Sequence, residues 1–302
     1  MSSICPPVID DKIEELHRES LVLREKLALE GGKKQKKAIE RDLEIIYRLI
    51  AEYSQLGANM AIEGETPENL VRLQHLEYLE KQGTGEIALE AKKVKWFRRR
   101  IKTWFPENRR EFPWRETEDP YRVLIAEIFL QRTRAENVVP VYREFLDRYP
   151  SLETLAAATL EEIRTAIAPL GLELRASQLQ RAVRQLPDGK IPRTEGELRA
   201  LPGVGRYTAN AVLAAAFHER APVLDINVVR ILERFFGLRG RGEKSRDDSL
   251  WQAAEAIAPK TNVREWNWAL IDFGALVCTS GQPRCPVCPL QKKCDYYRLS
   301  LT

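Results

Sequence analysis

Apolar residues recur every three or four positions along most of the chain, and almost no segment alternates apolar and polar residues as a strand would. This spacing places apolar side chains on one face of an α-helix. The sequence therefore predicts an all-α protein. Beyond residue 90, helices are predicted over 91–104, 120–132, 135–148, 152–156, 159–168, 173–185, 194–200, 206–217, 225–236, 247–258 and 263–276.

Residues 1–88 carry a narrower apolar stripe. Apolar residues follow a four-three spacing over 9–27, two glycines at 31 and 32 interrupt the spacing, and a second run extends over 39–53. Two such runs with a break between them predict an antiparallel helical hairpin.

A third N-terminal helix is predicted after Thr66. A threonine before a proline is typical of a helix start, because the hydroxyl caps the first amide groups and proline fits the first turn. This helix is expected to reach about Gln82. No catalytic constellation occurs in residues 1–88, so we expect a packing element or a surface for a protein partner.

The net charge of +4 hides a change of sign along the 302-residue chain. Residues 1–90 carry 12 Lys and Arg against 18 Asp and Glu, residues 91–115 carry 10 against 2, and residues 116–302 carry 26 against 24. An acidic segment therefore precedes a basic part, and a basic surface favours a polyanion as partner. The tryptophans of the 91–115 stretch either pack into the core or face that partner.

Composition excludes several classes of protein. With 44% apolar and 30% charged residues, the chain has enough apolar material for a globular core. No stretch approaches the ~18 apolar residues of a membrane-spanning helix, and residues 1–11 lack the pattern of a secretion signal. We expect no membrane partner and a cytoplasmic location, or a nuclear one in a eukaryote.

A glycine-rich turn separates two predicted helices. Residues 201–209 read LPGVGRYTA, and the second helix begins near Arg206. Gly203 and Gly205 allow backbone amides, including that of Val204, to approach a ligand closely, and a helix N-terminus adds positive potential. The turn is a candidate for binding one phosphate, although the pattern also suits an ordinary turn between helices.

Asp225 follows the apolar run APVL and precedes a predicted helix. An aspartate at this position is typical of a helix N-cap. The same carboxylate in a cleft would stabilise a positive charge that develops on a substrate. The residue alone leaves both interpretations open.

Four of the five cysteines lie within 17 residues, at 278, 285, 288 and 294. So few cysteines do not make a disulfide framework, and four so close together indicate a metal site. A zinc site needs only two cysteine pairs. The long first gap and the single loop favour a 4Fe–4S cluster bound by Cys278, Cys285, Cys288 and Cys294.

The order of these motifs along the chain resembles the helix-hairpin-helix DNA glycosylases of the endonuclease III superfamily. The resemblance covers residues 94–298 and includes FPWR at 112–115, DPY at 119–121 and AEIFLQRT at 126–133. Glycosylases of this kind act in base excision repair, so the resemblance implies an enzyme that hydrolyses N-glycosyl bonds of bases in double-stranded DNA.

The resemblance also implies a domain organisation. Residues 121–220 would form a six-helix barrel that carries the hairpin, and residues 94–120 and 221–302 would form the iron–sulfur cluster domain. Residues 1–88 would be an additional N-terminal helical hairpin. The molecule is expected to be a monomer.

Family members place particular residues around a flipped base. By resemblance, Asp225 stabilises the charged sugar and Glu127 is a second carboxylate facing the same pocket. Gln131 and Arg132 are candidates to fill the space that the base leaves. The resemblance assigns phosphate binding to the hairpin residues Gly203, Val204, Gly205 and Arg206.

Tyr207 narrows the chemistry. Bifunctional members of the family have a lysine at this position, whose amine attacks the sugar and later cleaves the strand. A tyrosine cannot form that Schiff base. The resemblance therefore implies a monofunctional glycosylase without efficient lyase activity.

The excised base is the least determined feature. Adenine glycosylases typically have Gly-Tyr-Tyr where residues 171–174 read GLEL, and Asp-Gly-Asn where residues 225–227 read DIN. They commonly add a C-terminal domain, whereas about eight residues follow Cys294 here. These departures favour thymine or uracil opposite guanine. Adenine opposite guanine or 8-oxoguanine, a modified base, and a non-catalytic DNA-binding protein stay as alternatives.

Overall fold

A computed structural model describes residues 7–29, 33–63, 66, 69, 73, 76, 89–171, 173–186, 189–238, 240 and 243–299. The regular elements in these ranges are all helices, which confirms the all-α prediction. They are α1 (Pro7–Leu29), α2 (Lys33–Glu63), α3 (Ala91–Asn108), α4 (Pro120–Leu130), α5 (Ala135–Arg148), α6 (Leu152–Ala157), α7 (Leu160–Ile167), α8 (Glu173–Arg184), α9 (Glu195–Ala200), α10 (Arg206–Ala216), α11 (Ile226–Phe236), α12 (Asp248–Ile257), α13 (Val263–Leu276) and α14 (Asp295–Leu299).

Two helices depart from the predicted set. Helix α3 continues through Pro106 to Asn108, whose side-chain amide donates a 2.8 Å hydrogen bond to the carbonyl of Trp104 near the helix end. Helix α14 has only five residues, too few to show a helical period in sequence. In the part of the chain described, no helix combines the length and apolar character that crossing a bilayer requires.

The chain forms two compact units. The first contains residues 1–100, 226–256 and 277–302, and the second contains residues 101–225 and 257–276. The predicted division into 1–88, 121–220 and the pair 94–120 with 221–302 stays a prediction.

In the first unit, α1 and α2 form the predicted helical hairpin. Ile9 and Leu16 of α1 and Tyr53 and Leu56 of α2 are completely or almost completely buried between the two helices. Ser20 interrupts the apolar stripe but is buried. Its burial costs little because its hydroxyl donates a 2.8 Å hydrogen bond to the carbonyl of residue 17.

The predicted helix from Thr66 to about Gln82 lies mostly outside the described residues. At its start, the Thr66 hydroxyl oxygen accepts a hydrogen bond from the amide of Asn69 at 3.2 Å, as a helix cap does.

The tryptophans of the basic stretch pack against aromatic rings. In the first unit, Trp96 stacks on Phe235 with ring centroids 6.1 Å apart. In the second unit, Trp104 meets Phe273 edge-on, and Trp114 stacks on the ring two residues earlier at 4.9 Å. These rings therefore pack within their own units instead of facing a partner.

The second unit is built around α4, which packs against α5 and α10. Asp119 caps this helix, since its carboxylate accepts a 2.9 Å hydrogen bond from the amide of Tyr121, and Pro120 occupies the first helical position. Almost every side chain from residue 121 to residue 129 is buried. A functional side chain on this helix therefore has a rigid support.

Candidate active site and cysteine loop

Glu127 is a buried carboxylate at the centre of α4. Its side chain lies among apolar neighbours, and the residue is only 9% exposed. In the part of the chain described, its Oε2 atom has no hydrogen-bond partner. A buried carboxylate without its full set of partners is costly, so such a group is a candidate for function rather than for stability.

Tyr207 lies in the first turn of α10, the helix that packs against α4. Its hydroxyl donates a hydrogen bond to the Glu127 carboxylate. Burial, together with the negative charges of Glu127 and Asp225, raises the pKa of Tyr207 well above its ordinary value. The tyrosine is therefore a neutral hydrogen-bond donor at physiological pH.

Burial also raises the pKa of Glu127, to about 7. The hydrogen bond from Tyr207 and the charge of Arg115 oppose this rise, and the charge of Asp225 adds to it. The carboxyl group is thus poised to exchange a proton near neutral pH, as a general acid or base requires.

Asp225 ends an extended segment that two asparagines hold in place. Asn210 on α10 donates a 2.8 Å hydrogen bond to the carbonyl of Pro222. Asn267 on α13 donates to the carbonyl of Ala221 at 3.0 Å and accepts from the amide two residues later at 3.2 Å. The Asp225 carboxylate lies within electrostatic reach of Glu127 and Tyr207.

A small cavity of about 10 Å³ opens beside the Glu127 and Tyr207 side chains. Alanines of α10 form one wall, and Arg264, Asn267 and Trp268 of α13 form another. Asp225 does not line this cavity. This volume is about that of one water molecule, so the walls must move apart before a base can enter.

Arg115 provides a positive charge near Glu127 and is itself held in a fixed position. It is buried, and its two Nη atoms donate to the two oxygens of the fully buried Asp272 at 2.7 and 3.0 Å. Arg110 donates to the same carboxylate at 2.7 Å. Because each charge has its partner, the network is stable inside the unit and holds a positive potential that lowers the pKa of Glu127.

The glycine-rich turn forms between α9 and α10. Gly203 has a φ of +83°, and a Cβ there would lie 3.1 Å from the Gln178 side chain. The amide of Val204 donates to the carbonyl of Leu201 at 3.1 Å, so it is used inside the turn. Gly205 has an ordinary φ of −91° and open space where a Cβ would point.

Gln131 and Arg132 follow directly after α4. The Gln131 side chain donates to the carbonyl of Gly203 at 3.0 Å and so braces the hairpin. Arg132 adopts a left-handed φ of +58°, which is uncommon for a residue with a side chain. On the hairpin itself, Arg206 lies 3.6 Å from the Glu195 carboxylate of α9. The predicted DNA-binding residues therefore cluster at one end of the second unit.

The four cysteines lie on one half-buried loop of the first unit and none forms a disulfide. Burial raises the pKa of Cys288 to about 12 and that of Cys294 to about 11, and the neighbouring cysteines add to both increases. Four thiolates on one loop would repel one another. They therefore need a multivalent cation to be deprotonated together.

Polar groups around the loop suit sulfur ligands. The amides of Leu290 and Tyr297 donate to the sulfurs of Cys288 and Cys294. The Arg234 guanidinium lies 3.8 Å from the Cys278 sulfur. Hydrogen bonds to sulfur and a nearby cation stabilise thiolates around an iron–sulfur cluster. Among the described side chains, no group of three or more is arranged to hold a single metal ion. Four thiols on one loop are the type of donor that iron–sulfur clusters use.

Several residues of the site escaped the sequence analysis. Asn210, Asn267, Asp272 and Arg264 lie on apolar helices, where each is one polar residue among many. For the buried residues Asn210, Asn267 and Asp272, the signal in sequence is a polar residue at a position that the helical period assigns to the core. That signal identifies a buried polar group but not its partner.

Comparison with known proteins decides the family. The model of HhH-GPD superfamily base excision DNA repair proteins matches residues 125–256, which include Glu127, the hairpin and Asp225. Over 211 residues the chain is 39% identical to the thymine/uracil-DNA glycosylase of Pyrobaculum aerophilum, a match that spans 67% of this chain and 92% of that relative. The chain belongs to the HhH-GPD superfamily.

Other HhH-GPD proteins extend the comparison. An adenine DNA glycosylase from Buchnera aphidicola subsp. Schizaphis graminum is 35% identical over 207 residues, which cover 67% of this chain and 60% of that relative. The structure of a thermostable thymine-DNA glycosylase superposes with a TM-score of 0.64 at 38% identity, over 68% of this chain and 97% of that one. The structure of a trapped endonuclease III–DNA covalent intermediate superposes with a TM-score of 0.62 at 28% identity. This match covers 71% of this chain and 100% of that one. The resemblance to the endonuclease III superfamily is confirmed, and DNA is the partner of the HhH-GPD protein.

Proposed function

We propose that the protein is a monofunctional DNA glycosylase of base excision repair that removes thymine or uracil opposite guanine. The buried Glu127–Tyr207 pair, with Asp225 in electrostatic reach, carries this proposal. The 39% identity to a thymine/uracil-DNA glycosylase supports the choice of base. A mismatched base costs least to flip out of the duplex, which contributes to selectivity.

Asp225 stabilises the transition state. Breaking the N-glycosidic bond builds positive charge on the deoxyribose, and an ionised carboxylate in a fixed position lowers the energy of that state. The same carboxylate orients the attacking water. The hydrogen bonds from Asn210 and Asn267 to the preceding segment support this position.

Glu127 exchanges a proton with the leaving base. Its carboxyl group lines the cavity, its Oε2 atom is available, and its pKa of about 7 keeps a protonated fraction at neutral pH. A general acid with such a pKa delivers its proton efficiently near neutrality.

Tyr207 supports excision without strand cleavage. Its hydroxyl orients the Glu127 carboxylate, and it has no amine to attack the sugar carbon. The product is therefore an abasic site in an intact strand.

DNA is held by its backbone at the hairpin. The amides of Gly203 and Gly205 and the N-terminus of α10 provide a site for one phosphate, and the amide of Val204 stabilises the turn. Gln131 and Arg132, next to this turn, are placed to occupy the space of the flipped nucleotide. Phosphate contacts position the enzyme, while the cavity selects the base.

The four cysteines would hold a 4Fe–4S cluster. When bound, such a cluster would cross-link the C-terminal loop through Cys278, Cys285, Cys288 and Cys294. Around it, Arg234 donates to the carbonyl of Thr279 at 2.6 Å and so orients its charge towards the loop.

A panel of labelled duplexes tests the proposal. Duplexes with T:G, U:G and A:8-oxoguanine pairs are incubated with the protein and then treated with alkali. We expect cleavage of the T:G or U:G duplex only after alkali. Activity on the adenine duplex alone would establish the adenine alternative, for which the 35% identity to an adenine glycosylase is the supporting observation. No turnover on any duplex would favour a non-catalytic DNA-binding protein.

Asp225→Asn tests the mechanism. The change removes the charge and keeps the shape, so we expect excision to fall by at least about 100-fold while affinity for the T:G duplex stays within a few-fold. Single-turnover excision and gel-shift titration measure the two quantities. Asp147→Asn, on an exposed position of α5, is the control. Undiminished turnover of the Asp225 variant would refute the assignment.

The N-terminal hairpin is our candidate for a protein-binding surface on an otherwise monomeric enzyme in the cytoplasm or nucleus. Leu21 and Val22 of α1 are 58% and 50% exposed, which is a high exposure for apolar side chains. Deleting residues 1–88 is expected to change partner binding or DNA affinity. Unaltered complexes and affinity would reduce the hairpin to a stability element.

A further inference from the structure

Arg264 is the cation of the cavity beside Glu127. It lies in the first turn of α13, with its side chain 23% exposed. Among the described residues that line the cavity, it is the positively charged one. None of the sequence motifs includes it.

Two contacts hold the Arg264 guanidinium at the cavity wall. Its Nη1 atom donates a 2.7 Å hydrogen bond to Glu118, and its plane lies over the ring of Trp268 at 5.4 Å from the centroid. The second carboxylate oxygen of Glu118 lies 3.2 Å from His218, whose backbone is left-handed with a φ of +57°. Arg264 is therefore anchored from outside the cavity.

Arg264 keeps donors available for a ligand. Its hydrogen bonds in the described structure both use Nη1, to Glu118 and to the carbonyl of Ala215 at 3.5 Å, so Nε and Nη2 are not engaged. Across the cavity, Glu127 Oε2 also has no partner. The side chain of Asn267 already donates to and accepts from the backbone segment before Asp225.

A guanidinium only donates hydrogen bonds. Uracil and thymine carry carbonyl oxygens at C2 and C4, which accept such a bond. Cytosine has an amino group at C4 and adenine has one at C6, and an amino group facing a guanidinium leaves donors on both sides unpaired. An unpaired buried polar group lowers the rate of the wrong substrate by a large factor.

We infer that Arg264 is a specificity-determining residue that donates a hydrogen bond to the C4 carbonyl oxygen of the flipped base and so selects keto pyrimidines over bases with an amino group at that position. This inference rests on the proposed glycosylase function and deepens it. Glu118 is a positioning residue, because it acts by orienting Arg264.

A matched pair of substrates tests the inference. 5-Fluorouracil and 5-fluorocytosine, each placed opposite guanine in the same duplex, differ at C4 by a carbonyl and an amino group. Single-turnover excision rates are measured for both with the full-length protein. The ratio of the two rates, compared between variants, removes the intrinsic difference between the two leaving groups.

Arg264→Met keeps the length of the side chain and removes its donors. We expect the rate on 5-fluorouracil to fall roughly 10- to 100-fold and the rate on 5-fluorocytosine to change much less, so that the ratio collapses. Arg148→Met is the control, because Arg148 also pairs with an exposed glutamate of the same unit, at 3.6 Å. The control should keep the wild-type ratio. An Arg264→Met protein with the wild-type ratio would overturn the inference.

Glu118→Gln covers the case in which Arg264→Met does not fold. It keeps Arg264 but weakens its anchor, so we expect the ratio to fall a few-fold with a normal melting temperature. An unchanged ratio in this variant counts against the inference. If the wild-type protein releases no keto pyrimidine opposite guanine, the proposed function itself is wrong. If the wild-type protein prefers 5-fluorouracil and Arg264→Met keeps that preference, only the inference about Arg264 is wrong.

Discussion

The side chains that carry the chemistry and those that hold it in place were not equally visible in the sequence. Glu127, Tyr207 and Asp225 were predicted because each belongs to a motif whose order along the chain is specific. Arg264 was not, because its anchor Glu118 lies 146 positions earlier in sequence. A contact between such distant residues depends on how the helices pack, and helical periodicity does not contain that information.

The Glu127–Tyr207 pair predicts a pH dependence of excision. Because burial raises the pKa of Glu127 to about 7, its protonated form is present below that pH and is lost above it. If this form delivers the proton, the excision rate falls as the pH rises through about 7. The hydrogen bond from Tyr207 lowers this pKa, so Tyr207→Phe should move the alkaline limb to higher pH.

Single-turnover rates from pH 5.5 to 9 measure this shift, on the substrate that the wild-type enzyme prefers. Tyr142→Phe is the matched control, since its hydroxyl donates instead to the carbonyl of Arg122 at 3.2 Å. If the alkaline limb of the Tyr207→Phe profile stays at the wild-type pH or moves to lower pH, the proposal that Tyr207 lowers the pKa of Glu127 is contradicted.

At the scale of helices, the sequence predicted most of the second unit because caps and turn residues mark its helix ends. Asp119 with Pro120 starts α4, and Thr159 starts α7 with a capping box. The continuation of α3 past Pro106 was missed, since a proline usually signals an end. The support that Gln131 gives to the hairpin was missed too, because it joins two elements 72 residues apart.

The two glycines of the hairpin are predicted to serve different purposes. Gly203→Ala places a side chain at a φ of +83° and next to Gln178, and we expect a loss of about 1–2 kcal/mol in the free energy of unfolding. Gly205→Ala meets open space at an ordinary φ, so stability should be unchanged or slightly higher.

DNA affinity should separate the same two variants in the opposite order, after the stability loss is taken into account. The methyl group of Gly205→Ala occupies the space through which a phosphate approaches the amides, so we expect weaker binding by a stable protein. Urea denaturation and fluorescence titration with a duplex measure the two effects. If Gly205→Ala binds DNA with wild-type affinity, the proposal that this turn binds a phosphate is wrong.

At the scale of the molecule, each unit combines segments that are distant in the chain. The first unit joins residues 226–256 and 277–302 to the N-terminal hundred, and the second reclaims residues 257–276. The resemblance predicted a domain of two distant segments, 94–120 and 221–302, but it did not predict that residues 257–276 belong to the other unit. The change from acidic to basic near residue 90 lies inside the first unit, so charge alone did not mark a unit boundary.

The cysteine loop gives a prediction for the whole protein. Protein purified without oxygen should show a broad absorbance near ~400 nm, which an iron–sulfur cluster has and zinc lacks. Cys288→Ser should reduce this absorbance and lower the melting temperature. Cys5→Ser, which changes the cysteine outside the loop, is the control and should keep both. A colourless protein with stoichiometric zinc would replace the cluster with a zinc site.

The hydrogen bonds that Asn210 and Asn267 make with residues 221–223 have a consequence for the cost of catalysis. Asn210 and Asn267 fix this extended backbone in the free protein, so the conformational entropy of the segment is lost once, during folding. The segment that leads to Asp225 is therefore ordered before DNA binds, and less of the binding energy is needed to place this carboxylate. The fold itself thereby lowers the barrier before the substrate arrives.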